Sequence, residues 1–464
     1  MSLLHFHLWL VAAIGWSFIV LGLGYLFFGL DDLFIDLVAW WNALRPEELE
    51  PETMMALRER KERRIAVIVP AWKEGAIIKR MLSGNCRRLE YGSYTFFVGV
   101  YPNDPLTGPK VDKVHRRFQN VRSVMNDRPG PTSKGQVLNR VIRQIFEFEE
   151  ARGIRFDAFL MQDAEDIIHP KILQLVNEKL DDYDFIQTPV FSFEVNRGQL
   201  VAATYMDEFA EHHTKDILVR NHLGAAVPSA GVGTALSREL VLRLIAEYGD
   251  VFNEGSLTED YELGVRVHAL GFRPHFACCY YRPGNASAPE YIATREYFPK
   301  RFSRSVRQKT RWSLGICLQG WRNLGWKGSL GNRYFLYRDR KGIGVNIAVF
   351  LGYPCLLFAI LDPQVRQHIH FSVFTSTLLA INLGLMLNRL AQRMICVSRV
   401  YGVPVALTVP ISWPVANVVN ALASVHALKQ DTVSRITKVS VKWAKTEHEL
   451  PEFFGEPATS ASAP

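Results

Sequence analysis

Acidic side chains and one lysine follow four short apolar runs in the middle of the chain. In order, these are Glu74 after Ile65–Val69, Asp104 after Tyr94–Val100, Lys134 after Val121–Met125, and the Asp163-Ala164-Glu165-Asp166 turn after Ala158–Met161. A single carboxylate at the end of a strand is usually a solvated cap. Carboxylates at three strand ends, together with the lysine, predict one shared crevice, because ligands of parallel sheets bind beyond the carboxyl ends of the strands.

The chemistry predicted for this crevice is the binding of a divalent cation and a diphosphate. Asp163 and either Glu165 or Asp166 are alternate carboxylates on one tight turn, which suits a hard cation with oxygen ligands. Mg²⁺ or Mn²⁺ at this turn would bridge a substrate diphosphate and neutralise a phosphate leaving group. Lys134 suits the same anion. No GxxxxGK[ST] occurs and no GxGxxG follows a strand, so neither a P-loop nor a dinucleotide site is indicated.

Two later motifs could complete the same crevice. Pro228–Thr234 is a loop of small residues in which Gly231 and Gly233 let the backbone approach a ligand closely. Thr258 precedes Glu259 and Asp260 at the predicted start of a helix. The alternatives are an ordinary turn for the loop and a simple capping role for Thr258 and the two acids.

A third motif, Arg307–Trp312, places Gln308, Arg311 and Trp312 on one face of a predicted helix. Trp312 could stack on the apolar face of a sugar, while Gln308 and Arg311 bind hydroxyl or phosphate groups. An amphipathic helix on a membrane surface is the alternative, and both interpretations can hold at once.

The elements that must position these residues form an α/β domain. The five apolar runs, the fifth being Phe185–Gln187, read as strands, and stretches with helical spacing lie between most of them. This alternation predicts a largely parallel sheet.

Membrane segments are predicted at both ends of the chain. Leu8–Leu30 is an uncharged run long enough to cross a hydrocarbon core of about 30 Å. We expect an uncleaved anchor, since no small-residue cleavage site follows it. Ile343–Leu361 and Phe371–Leu387 predict a transmembrane hairpin, whereas the prolines of Val403–Leu428 favour an interfacial or re-entrant helix over a fourth span.

Charge predicts the orientation. The net charge is +8, and the basic residues cluster beside the apolar runs, which favours lipid headgroups and phosphate-bearing substrates over nucleic acid. Lys and Arg flank the predicted hairpin and are nearly absent from its loop, so the central domain should face the cytoplasm. The expected division is an anchor with an amphipathic stretch at 1–45, a basic linker at 46–64, the catalytic domain at 65–290, interface helices at 291–342, the hairpin and interfacial helix at 343–428, and a cytoplasmic tail at 429–464.

In this order and spacing, the motifs resemble those of family 2 glycosyltransferases with the GT-A fold. The resemblance implies a Rossmann-like, mostly parallel sheet and inverting, metal-dependent transfer from a nucleotide-diphosphate sugar, a UDP-sugar being favoured. It assigns catalysis to Asp260, Glu259 and Arg311, and metal binding to Asp163, Glu165 and Asp166. Donor binding is assigned to Pro70, Ala71, Glu74, Asp104, Lys134, Asp163, Gln308 and Arg311. Acceptor binding is assigned to Gly231, Gly233, Thr258 and Trp312.

Segments such as GLDDLFID, VPAWKE, RPGPTSK and SLTEDYELG extend the resemblance to a group of bacterial inner-membrane members of that family. That group is linked to phage adsorption and to a secreted surface glycan, which implies a glycan or lipid acceptor and an outer-membrane export partner. Its full-length members add a domain that binds cyclic di-GMP. The chain ends at Pro464 without such a domain, which argues against control by that dinucleotide.

The membrane hairpin and the Gln308–Trp312 motif together suggest repeated addition of sugars, with the polymer fed toward the membrane. Two alternative functions stay open at this point. One alternative is a single transfer onto a lipid phosphate carrier. The other is a catalytically inert membrane scaffold or phage-receptor component, which would not need the complete set of acidic motifs found here.

Overall fold

The computed structural model describes residues 3–196, 198–284, 288–368, 371–439 and 454. The α-helices are α1 Leu3–Trp41, α2 Pro51–Glu59, α3 Ile78–Arg88, α4 Thr107–His115, α5 Lys134–Arg152, α6 Ile172–Lys179, α7 Leu200–Glu211, α8 Ile217–His222, α9 Arg238–Tyr248, α10 Glu259–Ala269, α11 Phe302–Trp312, α12 Gly320–Leu324, α13 Leu330–Leu361, α14 Pro363–His368, α15 Val373–Tyr401, α16 Val403–Ala406 and α17 Val409–Thr437. Two π-helical segments, His212–Asp216 and Ser313–Gln319, continue α7 and α11.

The strands are β1 Glu47–Glu48, β2 Ile65–Pro70, β3 Tyr94–Val100, β4 Val121–Met125, β5 Ala158–Met161, β6 Ile167–Ile168, β7 Phe185–Gln187, β8 Val190–Ser192, β9 Thr234–Ser237, β10 Pro274–Phe276, β11 Cys279–Tyr281, β12 Glu290–Tyr291 and β13 Thr294–Glu296. All five strands expected from the apolar runs are confirmed. The eight others are two to four residues long, too short to carry a hydrophobic period.

The central sheet has seven strands in the order β10-β7-β9-β5-β2-β3-β4. Every neighbouring pair is parallel except the two that β9 makes, so the expected mostly parallel α/β sheet is confirmed. Strand β2 is buried on both faces from Ile65 to Val69, as a central parallel strand covered by helices must be. Its carboxyl end and that of β5 therefore come together at one edge.

Two three-stranded sheets, β1-β11-β12 and β6-β13-β8, adjoin the central one and change the expected division of the chain. Residues 46–64 contain strand β1 and helix α2, so they are not a simple linker. Glu47 pairs with Cys279 of β11, a contact that no local pattern could reveal. Strand β13 ends at Glu296, so the sheets continue past the expected boundary at residue 290.

Within the described residues, four helices are long and apolar enough to cross a membrane, judged by length and composition: residues Val11–Trp41 of α1, and all of α13, α15 and α17. Helix α13 begins at Leu330, well before the expected start at Ile343, because Ser329 caps it by accepting a hydrogen bond from Asn332 N–H. Residues 403–428, expected to form an interfacial or re-entrant helix, are divided between α16 and α17; α17 runs through Pro414 and is long and apolar enough for a fourth span. Pro404 and Pro410 lie in the first turns of α16 and α17, where the missing N–H has no helical partner in any case. Of the tail predicted at 429–464, residues 440–453 and 455–464 lie outside the described part.

A set of buried and partly buried charges joins these long helices to the α/β domain; we call it the junction cluster. It consists of Asp31, Asp32, Asp36, Glu208, Glu211, Asp216, Lys215, Lys309, Arg338, Lys341, Arg389 and Arg393, and every member pairs with an opposite charge within the set. Glu211, for example, lies 3.0 Å from Lys215 and 2.7 Å from Arg393. The α/β domain is therefore fixed to the helices by charge as well as by packing.

Candidate active site

A cleft lies beside the carboxyl ends of β2 and β5. Of the residues singled out in the sequence, it is lined by Pro70, Ala71, Glu74, Lys134, Asp163, Glu165, Thr258, Glu259, Asp260, Gln308, Arg311 and Trp312. Six acidic side chains line it, the sixth being Glu296, against two basic ones, Lys134 and Arg311. Residues from five distant segments thus share one cavity with a marked excess of negative charge.

Lys134 is the basic residue of the cleft that interacts with Asp163, Glu259 and Asp260. It is the first residue of α5, whose N-terminus is capped by Ser133 through a hydrogen bond from Gln136 N–H. Lys134 Nζ lies 2.6 Å from Asp163 Oδ1 and donates to Gly231 O at 3.2 Å. Burial alone would lower the pKa of Lys134, but Asp163, Glu259 and Asp260 raise it above its ordinary value. The lysine is therefore a fixed positive charge among carboxylates.

The Asp163–Asp166 turn divides its carboxylates between two roles. Asp163 and Glu165 line the cleft. Asp166 does not, because its side chain is fully buried and its Oδ2 accepts the Asp163 N–H at 2.6 Å. Its Oδ1 has no hydrogen-bond partner within the described part of the chain. Of the two candidates for the second metal ligand, the cleft offers Glu165, and Asp166 shapes the turn.

Gly231 explains how Asp260 reaches Lys134. Its φ is +80°, and a Cβ built there would lie 2.4 Å from Asp260 Oδ2 and 3.2 Å from Lys134 Nζ. Any larger residue would push these charged groups apart, so the small-residue loop is required here. Gly233, with φ +62°, packs instead against Thr188, because a Cβ added to this glycine would lie 2.5 Å from Thr188 Oγ1. It contributes to the loop's shape rather than to the cleft lining.

Thr258, Glu259 and Asp260 lie at the start of α10. Among the described residues, the Thr258 side chain makes no capping hydrogen bond, so the simple cap considered in the sequence does not form. Burial and the neighbouring Asp260 raise the pKa of Glu259 to about 7, against the opposing effect of Lys134. Asp260, beside Gly231 and Lys134, is the acid of this motif that faces the cleft's positive charge.

The expected common face of Gln308, Arg311 and Trp312 forms the opposite wall, from the last two turns of α11. Tyr205 Oη donates to Gln308 Oε1 at 2.8 Å, which fixes the orientation of the amide. The Trp312 and Tyr205 rings meet edge to face, with their centroids 6.1 Å apart. An aromatic group and two polar groups are thus held facing the carboxylates.

Asp104 is placed differently from the expectation, because it does not line the cleft. Its Oδ2 accepts hydrogen bonds from Lys73 N–H and the Thr107 hydroxyl, both at 2.6 Å, and its Oδ1 accepts from the first N–H groups of α4. Burial would raise the pKa of Asp104, but these hydrogen bonds hold it below its ordinary value. Asp104 therefore stabilises the turn that carries Glu74, and a direct role in donor binding stays a prediction.

Among the cleft residues that were not singled out in the sequence are four with polar or aromatic side chains: Trp72, Tyr101, Thr132 and Glu296. The Trp72 and Tyr101 rings lie 4.8 Å apart between centroids, and Tyr101 Oη is 2.7 Å from Thr132 Oγ1. Trp72 and Tyr101 closely follow the ends of β2 and β3, so their position after a strand was a usable signal. Glu296 comes from β13, whose pairing is long-range, and it gave no such signal.

A divalent cation fits the chemistry of this cleft. Asp163 and Glu165 supply hard oxygen ligands, and the excess of carboxylates favours a cation. In the described ranges, no three His, Cys, Asp or Glu side chains form a ready-made metal cage. That is compatible with Mg²⁺-type sites, in which one or two carboxylates bind the ion and substrate phosphates and water complete its shell.

Comparison with known proteins adds the following matches. A family model described as glycosyltransferase like family 2 matches residues 62–315. Bacteriophage adsorption protein B of Escherichia coli strain K12 is 39% identical over 455 residues, which covers 92% of this chain and 61% of the relative. The chain thus spans about three-fifths of the length of that relative.

Among solved structures, S. aureus TarS 1–349 in complex with UDP-GlcNAc matches with a TM-score of 0.36 and 10% identity, over 79% of this chain and 92% of that one. Glucosyl-3-phosphoglycerate synthase from Mycobacterium tuberculosis in complex with Mg²⁺ and UDP matches with a TM-score of 0.35 and 16% identity, over 61% of this chain and 88% of that one.

Proposed function

This chain belongs to glycosyltransferase-like family 2, and from that premise we propose that it transfers a sugar, with inversion, from a nucleotide-diphosphate donor to a growing surface glycan. A UDP-sugar is the favoured donor. One observation carries the proposal: Lys134, Asp163, Gly231 and Asp260, from four distant segments, meet within hydrogen-bonding distance or van der Waals contact at one sheet edge. That arrangement combines an anion-binding cation with a candidate base.

Asp260 is the proposed general base. It takes the proton from an acceptor hydroxyl as the oxygen attacks the anomeric carbon, and the bond from that carbon to the diphosphate breaks on the opposite side. Lys134 and Arg311 lie in the same cleft and would offset the charge that develops on the leaving diphosphate. A positioned base of this kind typically contributes about 10²–10⁴-fold in rate.

A divalent cation, Mg²⁺ or Mn²⁺, is the proposed cofactor, held by Asp163 and Glu165. Once bound, it would neutralise charge on the diphosphate and so make it a better leaving group. The need for it follows from charge: six carboxylates against two basic side chains repel a diphosphate unless a cation accompanies it. Glu74 and Asp104 are proposed for the nucleoside side, where Trp72 and Tyr101 supply aromatic surface.

The acceptor is proposed to lie against Trp312 and Thr258, on the wall opposite Lys134. Trp312 presents an aromatic face of the kind that stacks on sugar rings, and Gln308 is fixed beside it by Tyr205. Gln308 and Trp312 both belong to the last two turns of α11 and line the same cleft as Lys134. The proposed acceptor site would therefore share one cavity with the proposed donor site.

The four apolar helices are proposed to hold the enzyme in the bacterial inner membrane with the catalytic domain in the cytoplasm. Four basic members of the junction cluster, Arg338, Lys341, Arg389 and Arg393, lie towards the ends of α13 and α15 that meet this domain, in agreement with the positive-inside rule. The name of the relative ties it to bacteriophage adsorption, a step at the cell surface. We propose that the glycan is built by repeated addition and delivered to an outer-membrane export partner.

The test is transfer by the purified full chain in lipid nanodiscs, with radiolabelled UDP-, GDP- and ADP-sugars in Mn²⁺, Mg²⁺ or EDTA. The expected result is incorporation from one donor class, dependent on the cation, into a ladder of glycan sizes. A single glycolipid product would replace repeated addition with one transfer onto a lipid carrier. No transfer from any donor, by protein that remains folded, would favour an inert membrane component.

A further inference from the structure

The segment that follows Trp312 forms one continuous rod with α11. Helix α11, the π-helical segment Ser313–Gln319 and α12 run without a break from Phe302 to Leu324. The cleft residues Gln308, Arg311 and Trp312 lie in its first half. The wider π-helical turn changes the direction in which the following side chains point. Such turns within α-helices are often found at functional sites.

The second half of this rod contacts the Thr258–Asp260 motif and the loop before it. Gln319 Oε1 accepts the Leu257 N–H at 2.9 Å, and Gln319 Nε2 donates to Gly255 O at 2.8 Å. One amide thus uses both its ends to fix the backbone of the three residues that lead into Thr258.

Two further contacts come from the same side of the rod. A Cβ built on Gly315 would lie 2.5 Å from Thr258 Oγ1, so the π-helical segment packs closely against the first residue of the Thr258–Asp260 motif. Asn323 Nδ2 donates to Glu262 Oε2 at 3.0 Å, and the other oxygen of this buried carboxylate accepts from Asn253 Nδ2. The rod therefore holds both the loop before Thr258 and the first turn of α10.

We propose that Gln319 is a positioning residue for the reaction: it sets the place of the base Asp260 relative to the acceptor-binding residues carried by the same rod. This inference rests on the proposed function. Because Gln308, Trp312 and Gln319 belong to one rigid element, a sugar seated on Trp312 and the carboxylate that takes its proton are held at a fixed distance. A displacement of about 1 Å at a reacting centre can cost about 10²-fold in rate.

The test is a double-mutant cycle on kcat with Gln319→Met and Asp260→Asn. Gln319→Met keeps the side-chain length and removes both hydrogen bonds. We expect it to lower kcat about tenfold to hundredfold with little change in donor Kd, and to lower it no further in the Asp260→Asn background. Arg322→Gln is the matched control, since Arg322 lies on the same rod but pairs with Asp431, and it should leave kcat unchanged.

Several outcomes overturn the inference. If the Gln319→Met loss persists in full in the Asp260→Asn background, the residue acts through stability or binding and not through the base. If Gln319→Met has wild-type kcat while Asp260→Asn is inactive, the positioning role fails and the proposed function stands. If the unsubstituted chain transfers no sugar, it is the proposed function that fails. Should Gln319→Met unfold, Gln319→Glu, which keeps the acceptor for Leu257 N–H, decides by the same cycle.

Discussion

The cleft and the junction cluster are both rich in buried charge, but they are balanced differently. The cleft presents six carboxylates to two basic side chains. The junction cluster has six acidic and six basic members, each paired with an opposite charge in the set. Both regions connect elements that are distant along the chain.

This difference in charge balance favours the cleft, and not the junction cluster, as the region that binds a ligand. Burying a charge without a partner is costly, so a structural cluster is expected to be internally neutral, as the junction cluster is. The cleft lining instead carries more acidic than basic side chains, which favours a cation among its ligands. Charge balance therefore separates the site of chemistry from the site of attachment, although the same residue types build both.

The largest effect is expected from the candidate base in the cleft. Asp260→Asn should lower kcat about 10²–10⁴-fold, because the neutral amide cannot take the acceptor proton. Donor Kd, measured by calorimetry, and the melting temperature should stay near those of the wild type. Asp250→Asn is the matched control, since Asp250 pairs with Arg143 outside the cleft. Wild-type kcat in Asp260→Asn would remove the residue from this role.

The corresponding change in the junction cluster should affect stability and not chemistry. Glu211→Gln removes the negative charge that Lys215 and Arg393 share and one of the two acceptor oxygens, and breaking a buried pair costs about 3–5 kcal/mol. Denaturant unfolding in detergent should show this loss, while kcat per folded molecule stays close to that of the wild type. Glu247→Gln, in the half-exposed pair with Arg243, should cost under about 1 kcal/mol. Equal stability of the two variants would contradict this contrast between the regions.

A smaller effect is expected for the lysine of the cleft. Lys134→Met should weaken nucleoside diphosphate binding about tenfold to hundredfold, for a loss of about 1.5–3 kcal/mol in charge-assisted hydrogen bonding. Calorimetric titration measures it, and Lys113→Met, at an exposed position on α4, is the control. Unchanged affinity in Lys134→Met would show that the lysine serves only Asp163 in the protein.

The smallest effect is a pH dependence of stability. Because the pKa of Glu259 is raised to about 7 in the folded protein, the folded state binds this proton more tightly than the unfolded state does. Its contribution to the free energy of unfolding is complete below about pH 4.5 and falls as pH rises towards about 7. Comparing melting temperatures from pH 5 to 8, the wild type should lose stability relative to Glu259→Gln as pH rises. Parallel curves would contradict the assignment.

Much of the fold could be predicted because five strands of its central sheet coincide with apolar runs in the sequence. Strands β3, β4, β5 and β7 have the bounds that their residues indicate, and β2 is one residue longer. The short strands β1 and β13 could not be predicted in this way, because each is formed by pairing with a strand far away in the sequence. Pro414 misleads because α17 continues through it although a proline inside a helix removes one backbone hydrogen bond; the long-range packing of α17 against α11 and α13 is not visible in the sequence.

The site was predictable as a set of motifs but not in its details. Convergence at the sheet edge follows from the topology rule, and most of the chosen residues line one cleft. Which carboxylate of the Asp163–Asp166 turn lines the cleft depends on the hydrogen bond from Asp163 N–H to Asp166, and the sequence alone does not reveal that bond. For the same reason the sequence does not reveal that Asp104 accepts hydrogen bonds from Lys73 N–H and the Thr107 hydroxyl and lies outside the cleft lining.

The most direct test of the central claim, that this acidic cleft takes a diphosphate together with a divalent cation, is calorimetric titration of the full chain with UDP, GDP and ADP in Mn²⁺ and in EDTA. The account predicts binding of at least one nucleotide in Mn²⁺, its loss in EDTA, and its loss in the Asp163→Asn, Glu165→Gln double variant with the melting temperature retained. Equal affinity in Mn²⁺ and in EDTA would contradict it.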